Sequence, residues 1–241
     1  WEPSSGTIGD MGYEVVRTRD TFDDSFRSLS FQRQFAAPPV FLAGMQTCDG
    51  DNTASLRGDD KSSSSVEVMV EEEASGDTET RHVDEVVGYM ALASHQDSEN
   101  EPHILTGELS LDEQWSQVAL NEDFTDPIVV SGPLSLNGNQ PAVVRIRNVT
   151  GPGFEIRVDE YEYLDEAHTM ENVGFMIMER GRYRLDDGTM VESGSFTAES
   201  CYPDFDSISF SGSFQEAPVV LITVTTENEK EAVAGRIRNV N

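Results

Sequence analysis

An internal repeat is the feature that most limits what this chain can fold into. A frame of two phenylalanines, a Pro-Val pair and an arginine near the start recurs near the end, with every member displaced by 179 positions. The two versions are Phe31, Phe35, Pro39-Val40 and Arg57, and Phe210, Phe214, Pro218-Val219 and Arg236. A third version lies between them, at Leu120, Phe124, Pro127-Ile128 and Arg145. Repetition of this kind indicates an array of one structural unit, here of about 90 residues.

The first two copies also share a later spacing of histidine, glutamate and glycine. These residues are His82, Glu85 and Gly88, and then His168, Glu171 and Gly174. We therefore predict a first unit at 1–95, a linker at 96–103, a second unit at 104–184 and an incomplete third unit at 185–241. Since Asn241 corresponds to about residue 62 of the first copy, the third unit is expected to lack the late strands and the His-Glu-Gly element.

Short segments rich in β-branched and aromatic residues fill each copy, among them "VEVMVEEE", "PIVVSGP" and "FEIRVDEYEY". Their alternation of apolar and polar residues is typical of half-buried strands. Turn clusters such as "CDGDN" and "TGPG" separate them. Because no stretch shows a sustained helical period, the sequence predicts an all-β fold of tandem antiparallel β-sandwiches.

The net charge excludes two classes of partner. Forty-five acidic residues against sixteen basic ones give a formal net charge of −29, which repels phosphate backbones and anionic lipid surfaces. No apolar run approaches the roughly 20 residues of a membrane-spanning helix. We therefore expect no nucleic-acid partner and no membrane insertion. The acid excess itself indicates either a heavily hydrated surface suited to salty water or specific sites for hard cations.

The acidic loop of the second copy is the candidate metal site. A calcium ion takes about six to eight oxygen ligands and would relieve the repulsion among clustered carboxylates. The candidate calcium ligands are Asp159, Glu160, Glu162, Asp165 and Glu171. The alternative is that these acids are solvated surface groups, because the loop lacks the spacing of a known calcium motif.

The repeated histidines and arginines favour structural roles. His82 and His168 are each expected to bond to the nearby loop, because a transition-metal site needs several clustered nitrogen or sulfur ligands. Arg57, Arg145 and Arg236 are interpreted as strand residues that pair with acids of a neighbouring strand. The chain has no nucleophile elbow, no phosphate-binding glycine loop and no dominant carboxylate pair in a predicted cleft. We therefore predict that it is not an enzyme.

Two covalent modifications are candidates. Asn148-Val149-Thr150 is a glycosylation sequon, which predicts N-glycosylation at Asn148 if the chain is secreted. Cys48 and Cys201 are the only cysteines. Two thiols this far apart in sequence make neither a disulfide-dense scaffold nor a zinc site, and the candidate role is a disulfide between chains.

The phenylalanine and Pro-Val frame, the central arginine, "NVTGPGFEI" and "VGFMIME" together resemble the H-type lectin domain and the related tandem repeats of large bacterial surface proteins. The resemblance covers nearly the whole chain, through short and mostly structural motifs. It implies a six-stranded antiparallel sandwich that assembles into oligomers, with sugar bound at subunit edges in the lectins. No lectin sugar-binding motif is present, and the acidic loops and the His-Glu-Gly spacing depart from the lectin pattern.

These observations favour an extracellular structural or adhesive repeat protein, a subunit or segment of a surface filament or fibril. A sandwich without its late strands exposes an apolar face, which a neighbouring copy would cover in a homopolymer. The alternative is that the third unit is truncated. The predicted assembly residues are Phe210, Phe214, Val220 and Ile222. The alternative is a carbohydrate-binding module with glycan partners, although neither Trp1 nor Trp115 marks a groove.

Overall fold

The computed structural model describes residues 3–76, 78–93, 102–120 and 124–241. Within these residues every regular element is a β-strand, and all strand pairings but one are antiparallel. The predicted all-β, antiparallel sandwich class is therefore confirmed. The described residues contain no helix long and apolar enough to cross a membrane. The predicted linker 96–103 lies mostly outside the described residues, and the unit boundaries stay predictions.

The first unit is a sandwich of two sheets. Its strands are β1 (Ser4–Ile8), β2 (Met11–Phe22), β3 (Arg27–Ser30), β4 (Val40–Met45), β5 (Ala54–Asp59), β6 (Ser65–Glu72) and β7 (Glu85–Leu92). One sheet has the order β1-β2-β7-β4 and the other contains β3-β6-β5. Alternate residues of β6 are buried, as expected for a strand with one face toward a core. Phe31 and Phe35 pack edge to face in that core, with ring centroids 5.6 Å apart.

The second unit repeats this arrangement without a counterpart of β1. Its strands are β8 (Ile104–Leu111), β9 (Ser116–Ala119), β10 (Pro127–Leu134), β11 (Ala142–Thr150), β12 (Gly153–Glu160) and β13 (Glu171–Glu179). The order β8-β13-β10 on one side and β9-β12-β11 on the other matches the first unit strand for strand. Phe154 and Phe175 lie at the centre of its core, with ring centroids 5.7 Å apart.

The third unit contributes a single hairpin of regular structure. This hairpin is β14 (Gly181–Arg184) and β15 (Met190–Ser193), and it spans the predicted boundary between the second and third units. It corresponds to the β1–β2 hairpin and contacts it through Ser4 and Thr189, whose hydroxyl oxygens lie 2.7 Å apart. Residues 194–241 are all described and contain no strand.

The absence of strands in 194–241 has a physical reason in the sheet order. In the first unit β3 and β5 pair with β6, and β4 pairs with β7. The third unit has segments that correspond to β3, β4 and β5, but its described residues include nothing that corresponds to β6 or β7. Edge segments without their central strand make no ladder.

A third apolar cluster holds the three units together. Leu42 of β4, Val130 of β10 and Leu221 occupy corresponding positions in the three copies, and all three pack in this cluster. A cavity of about 100 Å³ is lined by residues from all three units. A single parallel pairing of Leu134 with Arg57 also joins β10 to β5, and with them one sheet of each of the first two units. The units are therefore packed around a common centre.

Two glycines allow the strands around this centre to approach closely. A Cβ atom on Gly174 of β13 would lie 3.1 Å from Cγ1 of Val40, in the first unit. A Cβ atom on Gly88 of β7 would lie 2.8 Å from Cγ1 of Val219, in the third unit. Since Val40 and Val219 are themselves corresponding residues, the same glycine-to-valine contact occurs at two junctions between units.

Candidate functional site

The first unit contains a buried histidine held between two carboxylates. Nδ1 of His82 lies 3.0 Å from Oε2 of Glu72, and Nε2 lies 3.1 Å from Oε1 of Glu85. Glu72 is the last residue of β6 and Glu85 is the first residue of β7. The imidazole therefore links the end of one central strand to the start of the other. All three side chains are almost fully buried.

The loop after β4 surrounds Glu85 with hydrogen-bond donors. The backbone N–H groups of Asp49 and Gly50 donate to Oε1 at 3.0 and 3.3 Å, and the hydroxyl of Thr47 donates to Oε2. Gly50 is required for close packing, because a Cβ atom there would lie 2.4 Å from Cε1 of His82. The loop therefore provides a fitted pocket for one carboxylate and one imidazole.

These contacts shift the pKa values of both groups in the direction that keeps them charged. Burial raises the pKa of Glu85, but the bonds from His82, Thr47 and the loop outweigh it and hold the pKa at about 2. Burial likewise lowers the pKa of His82, and the hydrogen bonds to Glu85 and Glu72 outweigh that effect and raise it. The contacts therefore favour a protonated imidazole between the two glutamates.

The second unit contains the same network. His168 lies between Glu160, at 2.7 Å from Nδ1, and Glu171, at 3.1 Å from Nε2. Glu171 accepts hydrogen bonds from the backbone N–H groups of Asn137 and Gly138, at 2.9 and 2.8 Å, and from the Ser135 hydroxyl. Its pKa is again held at about 2, since these bonds and the one from His168 outweigh the effect of burial.

Each repeated arginine reaches out of its own unit into the loop of the next one; we call these contacts the arginine clamps. Nη2 of Arg57 lies 3.2 Å from Oε1 of Glu171 and 3.3 Å from the carbonyl oxygen of Gly138, both in the second unit. Its Nε lies 3.2 Å from Oε2 of Glu71, on the neighbouring strand β6. The first unit is thus tied to the histidine network of the second.

The other two clamps continue this pattern in cyclic order. The guanidinium of Arg145, in the second unit, donates to the carbonyl oxygens of the third unit at 2.9 to 3.1 Å; these belong to Thr226, Glu229 and Glu231. Arg236, in the third unit, returns to the first, where Nη2 donates to Oε1 of Glu85 at 2.6 Å and Nη1 to the Asn52 carbonyl oxygen at 3.1 Å. The second unit is therefore tied to the third and the third to the first.

The interpretation of the arginines from sequence is right in part. Arg57 does pair with Glu71 of the neighbouring strand β6, and Arg145 lies 3.5 Å from Asp159 on β12. Sequence reasoning missed the longer reach into the next unit, and it missed Glu72 and Glu160 as partners of the histidines. The signal available for these glutamates is that both occupy the last position of their strands, one copy apart.

The structure brings two of the five candidate calcium ligands to one histidine and gives the other three separate partners. Asp159 faces Arg157 and Arg145, Glu160 and Glu171 bond to His168, Glu162 accepts from the backbone N–H of Ala232, and Asp165 accepts from Gln140. Among the described residues, no group of three or more His, Cys, Asp or Glu side chains is arranged to hold a metal ion. Calcium binding stays a prediction that these contacts do not support.

The predicted assembly residues lie in two different environments. Val220 and Ile222 are half-buried within the chain itself; the Gln46 side chain bonds to both the N–H and the carbonyl group of Val220, and Ile222 lines the central cavity. Phe214 is half-buried and Phe210 is 38% exposed. Of the four, Phe210 is the one that is exposed.

The candidate modification sites are accessible. Asn148 is exposed in a left-handed turn with φ of 54°, and its side-chain amide donates to Glu155 at 2.5 Å. Asp60 and Asn239 occupy the corresponding turn positions with φ of 44° and 56°; Asn and Asp tolerate this conformation better than other residues with a side chain. Cys48 is half-buried and Cys201 is exposed, and both are free thiols. Glycosylation and the disulfide between chains stay predictions.

The comparisons with known proteins give one relative. The chain is 36% identical over 131 residues to "Halomucin" of Haloquadratum walsbyi, a match that covers 51% of this chain and 1% of that protein. No protein-family model and no solved structure matches the chain. Half of this sequence is therefore similar to a small part of a much larger protein.

Proposed function

We propose that this chain is a non-catalytic, structural segment of a large extracellular surface protein, in which β-sandwich units are locked around a common centre into one rigid block. The observation that carries the proposal is the cyclic order of the arginine clamps. Each clamp places its guanidinium against the loop of the next unit. These charged contacts fix the position of each unit relative to the next.

Two further observations support a surface location. The similarity to Halomucin, of which this sequence matches 1%, favours a segment of a very long chain. The net charge of −29 gives the block a strongly hydrated exterior. Self-association into a filament or fibril is the form of assembly that we propose for such blocks.

The carbohydrate-binding alternative gains no support from Trp115. The guanidinium carbons of Arg147 and Arg157 lie 3.9 and 4.7 Å from the centroid of the Trp115 ring. Sugar-binding sites present a free aromatic face, and this ring is occupied by two cations that also pair with Glu227.

The proposal predicts where the protein is found. An antibody raised against the folded chain should label the outside of intact, unpermeabilised cells that produce it, and immunogold electron microscopy should place the label on an external coat or on filaments. An antibody to a cytosolic protein of the same cells is the control for leakage. Labelling that requires permeabilisation, or that follows the cytosolic control, would contradict the proposal.

A further inference from the structure

The third unit has an exposed apolar face. The corresponding face of the first unit is covered by that unit's own strands. Phe210 and Phe214 pack edge to face with ring centroids 5.0 Å apart, as their counterparts Phe31 and Phe35 do. The counterparts are each only 8% exposed, because β6 and β7 close the core over them; the Tyr89 ring of β7, for example, lies 6.2 Å from that of Phe31. Phe210, in contrast, is 38% exposed.

The backbone around this face corresponds to β3, β4 and β5, three strands that flank β6 or β7 in the first unit. Residues 206–209, 219–224 and 233–238 correspond to β3, β4 and β5, and none of them forms a strand. In the first unit all three of these strands pair only with β6 or β7 inside their own sandwich, apart from the single β5–β10 bridge. The missing hydrogen-bond partner is therefore a pair of strands.

The charges at this face specify what that pair must carry. The Nε atoms of Arg57 and Arg236 are both buried without a hydrogen-bond partner among the described residues. They differ in their ion pairs: Nε of Arg57 lies 3.2 Å from Glu71 on β6 of its own unit, whereas Arg236 pairs through Nη2 with Glu85 of the first unit. Arg145 contacts carbonyl oxygens of the third unit, whereas Arg57 and Arg236 also contact the buried glutamate that begins β13 or β7 of the next unit. Arg57 pairs with a glutamate of β6 in its own unit and with a glutamate of the next unit. Compared with Arg57, Arg236 lacks the first of these carboxylates and Arg145 lacks the second.

We propose that the third unit is an acceptor site for a two-stranded antiparallel β segment with the pattern of β6 and β7. This segment is apolar on its inner face, places one glutamate against Arg236 and begins its second strand with a glutamate against Arg145. The proposal rests on the proposed function, because it extends the clamps described there. Arg57 and Arg236 already contact a glutamate of the next unit, and the segment would supply one to Arg145. Charge complementarity and continuity with those two clamps both point to this occupant.

A second copy of the chain is a poorer occupant. Its own β6 and β7 are central strands, each paired on both sides within the first sandwich. Donating them would require that sandwich to open, with the loss of its core and of the His82 network.

The test adds the predicted segment to the full chain. A copy of residues 63–93 is appended after Asn241, and hydrogen–deuterium exchange is followed at the amides of residues 206–240. We expect exchange there to slow at least tenfold relative to the unmodified chain, because a ladder and a core form. The control extension carries Asp at the positions copied from Val66, Val68 and Val70, and should give no protection.

A second variant tests the recognition by charge. An extension with Gln at the position copied from Glu85 should protect these amides at least threefold less than the unchanged extension. In that variant Arg145 again lacks a carboxylate from the next unit. Equal exchange with the unchanged and the Asp-bearing extension would overturn the proposal. So would protection of 206–240 in the unmodified chain that appears together with a dimer in analytical ultracentrifugation. Neither result depends on where the protein is found, so a failure of the proposed function is seen separately.

Discussion

At the scale of single residues, the molecule relies on charges that it removes from water. His82 and His168 each lie between two glutamates, their raised pKa values favour the protonated form, and the arginine clamps bring a guanidinium to Glu85 and Glu171 as well. A buried charge is costly unless every one of its bonding positions is used. The loops after β4 and β10 contribute to this with backbone N–H groups that donate to Glu85 and Glu171, which favours one arrangement of the chain in each network.

The two networks predict a characteristic dependence of stability on pH. The raised pKa of His82 and of His168 means that their contribution is complete below the ordinary imidazole value of 6.5 and is lost as the pH rises through the raised pKa. The lowered pKa of Glu85 and of Glu171 means that theirs is present above 4.5 and is lost as the pH falls toward about 2. The melting temperature should therefore decline on both sides of a maximum between 4.5 and 6.5.

A double variant with His82→Gln and His168→Gln separates the decline in melting temperature at high pH from the decline at low pH. It should melt at a lower temperature than the wild type below pH 6.5 and lose most of the decline above it, because a neutral amide has no proton to release there. The acidic groups around each ring, Glu72 and Asp24 beside His82 and Glu160 and Glu113 beside His168, remain in the variant. Scanning calorimetry from pH 4 to 9 measures the difference, and parallel curves for the two proteins would count against the assignment.

At the scale of secondary-structure elements, the glycines of the central strands set how closely the units pack. Gly174 lies on β13 against β4 of the first unit, and Gly88 lies on β7 against residue 219 of the third. A side chain at either position would have to push apart two strands that belong to different units. The glycine in the repeated His-Glu-Gly spacing thus serves the junction between units.

The substitution Gly174→Ala should be destabilising. Its Cβ atom would lie 3.0 Å from the carbonyl oxygen of Phe41, a backbone atom that cannot move alone, so overpacking should cost about 1–3 kcal/mol. Gly76→Ala is the matched control, since nothing lies within 4 Å of the added methyl group. Chemical denaturation of both variants measures the free energy of unfolding, and equal values would show that the contact is relaxed at no cost.

The strands could be predicted from sequence and most of the site could not. The alternation in "VEVMVEEE" identifies β6, and the repeat by itself places the arginines, histidines and glycines at corresponding positions of the copies. It does not say which of three neighbouring units a long arginine side chain reaches, because spacing along one copy carries no information about the next. Glu72 is hidden for a simpler reason: it stands between Glu71 and Glu73, and only its correspondence to Glu160 in the second copy separates the buried acid from its neighbours.

At the scale of the whole molecule, the clamps have to hold together units that repel each other. With 45 acidic and 16 basic residues the block has a large negative charge, and self-repulsion acts across every junction. Several of the sixteen basic side chains are concentrated at the junctions, where Arg57, Arg145 and Arg147 face acids or carbonyl groups of another unit. The positive charge is placed where it opposes the repulsion most directly.

Removing one clamp should therefore weaken the whole block. The substitution Arg57→Gln leaves the buried carboxylates of Glu71 and Glu171 without their guanidinium, which typically costs about 3–5 kcal/mol. Arg27→Gln is the control, because its ion pair with Asp23 is on the surface and such pairs contribute about 0–1 kcal/mol. In calorimetry the first variant should melt at a lower temperature, with the first and second units separating into distinct transitions. A single unshifted transition would show that the units do not depend on this clamp.

The cyclic order of the clamps within one polypeptide also bears on how such a sequence changes over generations. In a ring of three identical subunits one codon specifies all three junctions, so a mutation weakens or strengthens every junction at once. Here three codons specify them, and a substitution at Arg145 leaves the codons for Arg57 and Arg236 untouched. A mutation can therefore change the contacts of one junction without changing the residues of the other two. The Gly138 position that faces one clamp and the Glu229 position that faces another carry different residues, and each presents its backbone carbonyl oxygen to the arginine.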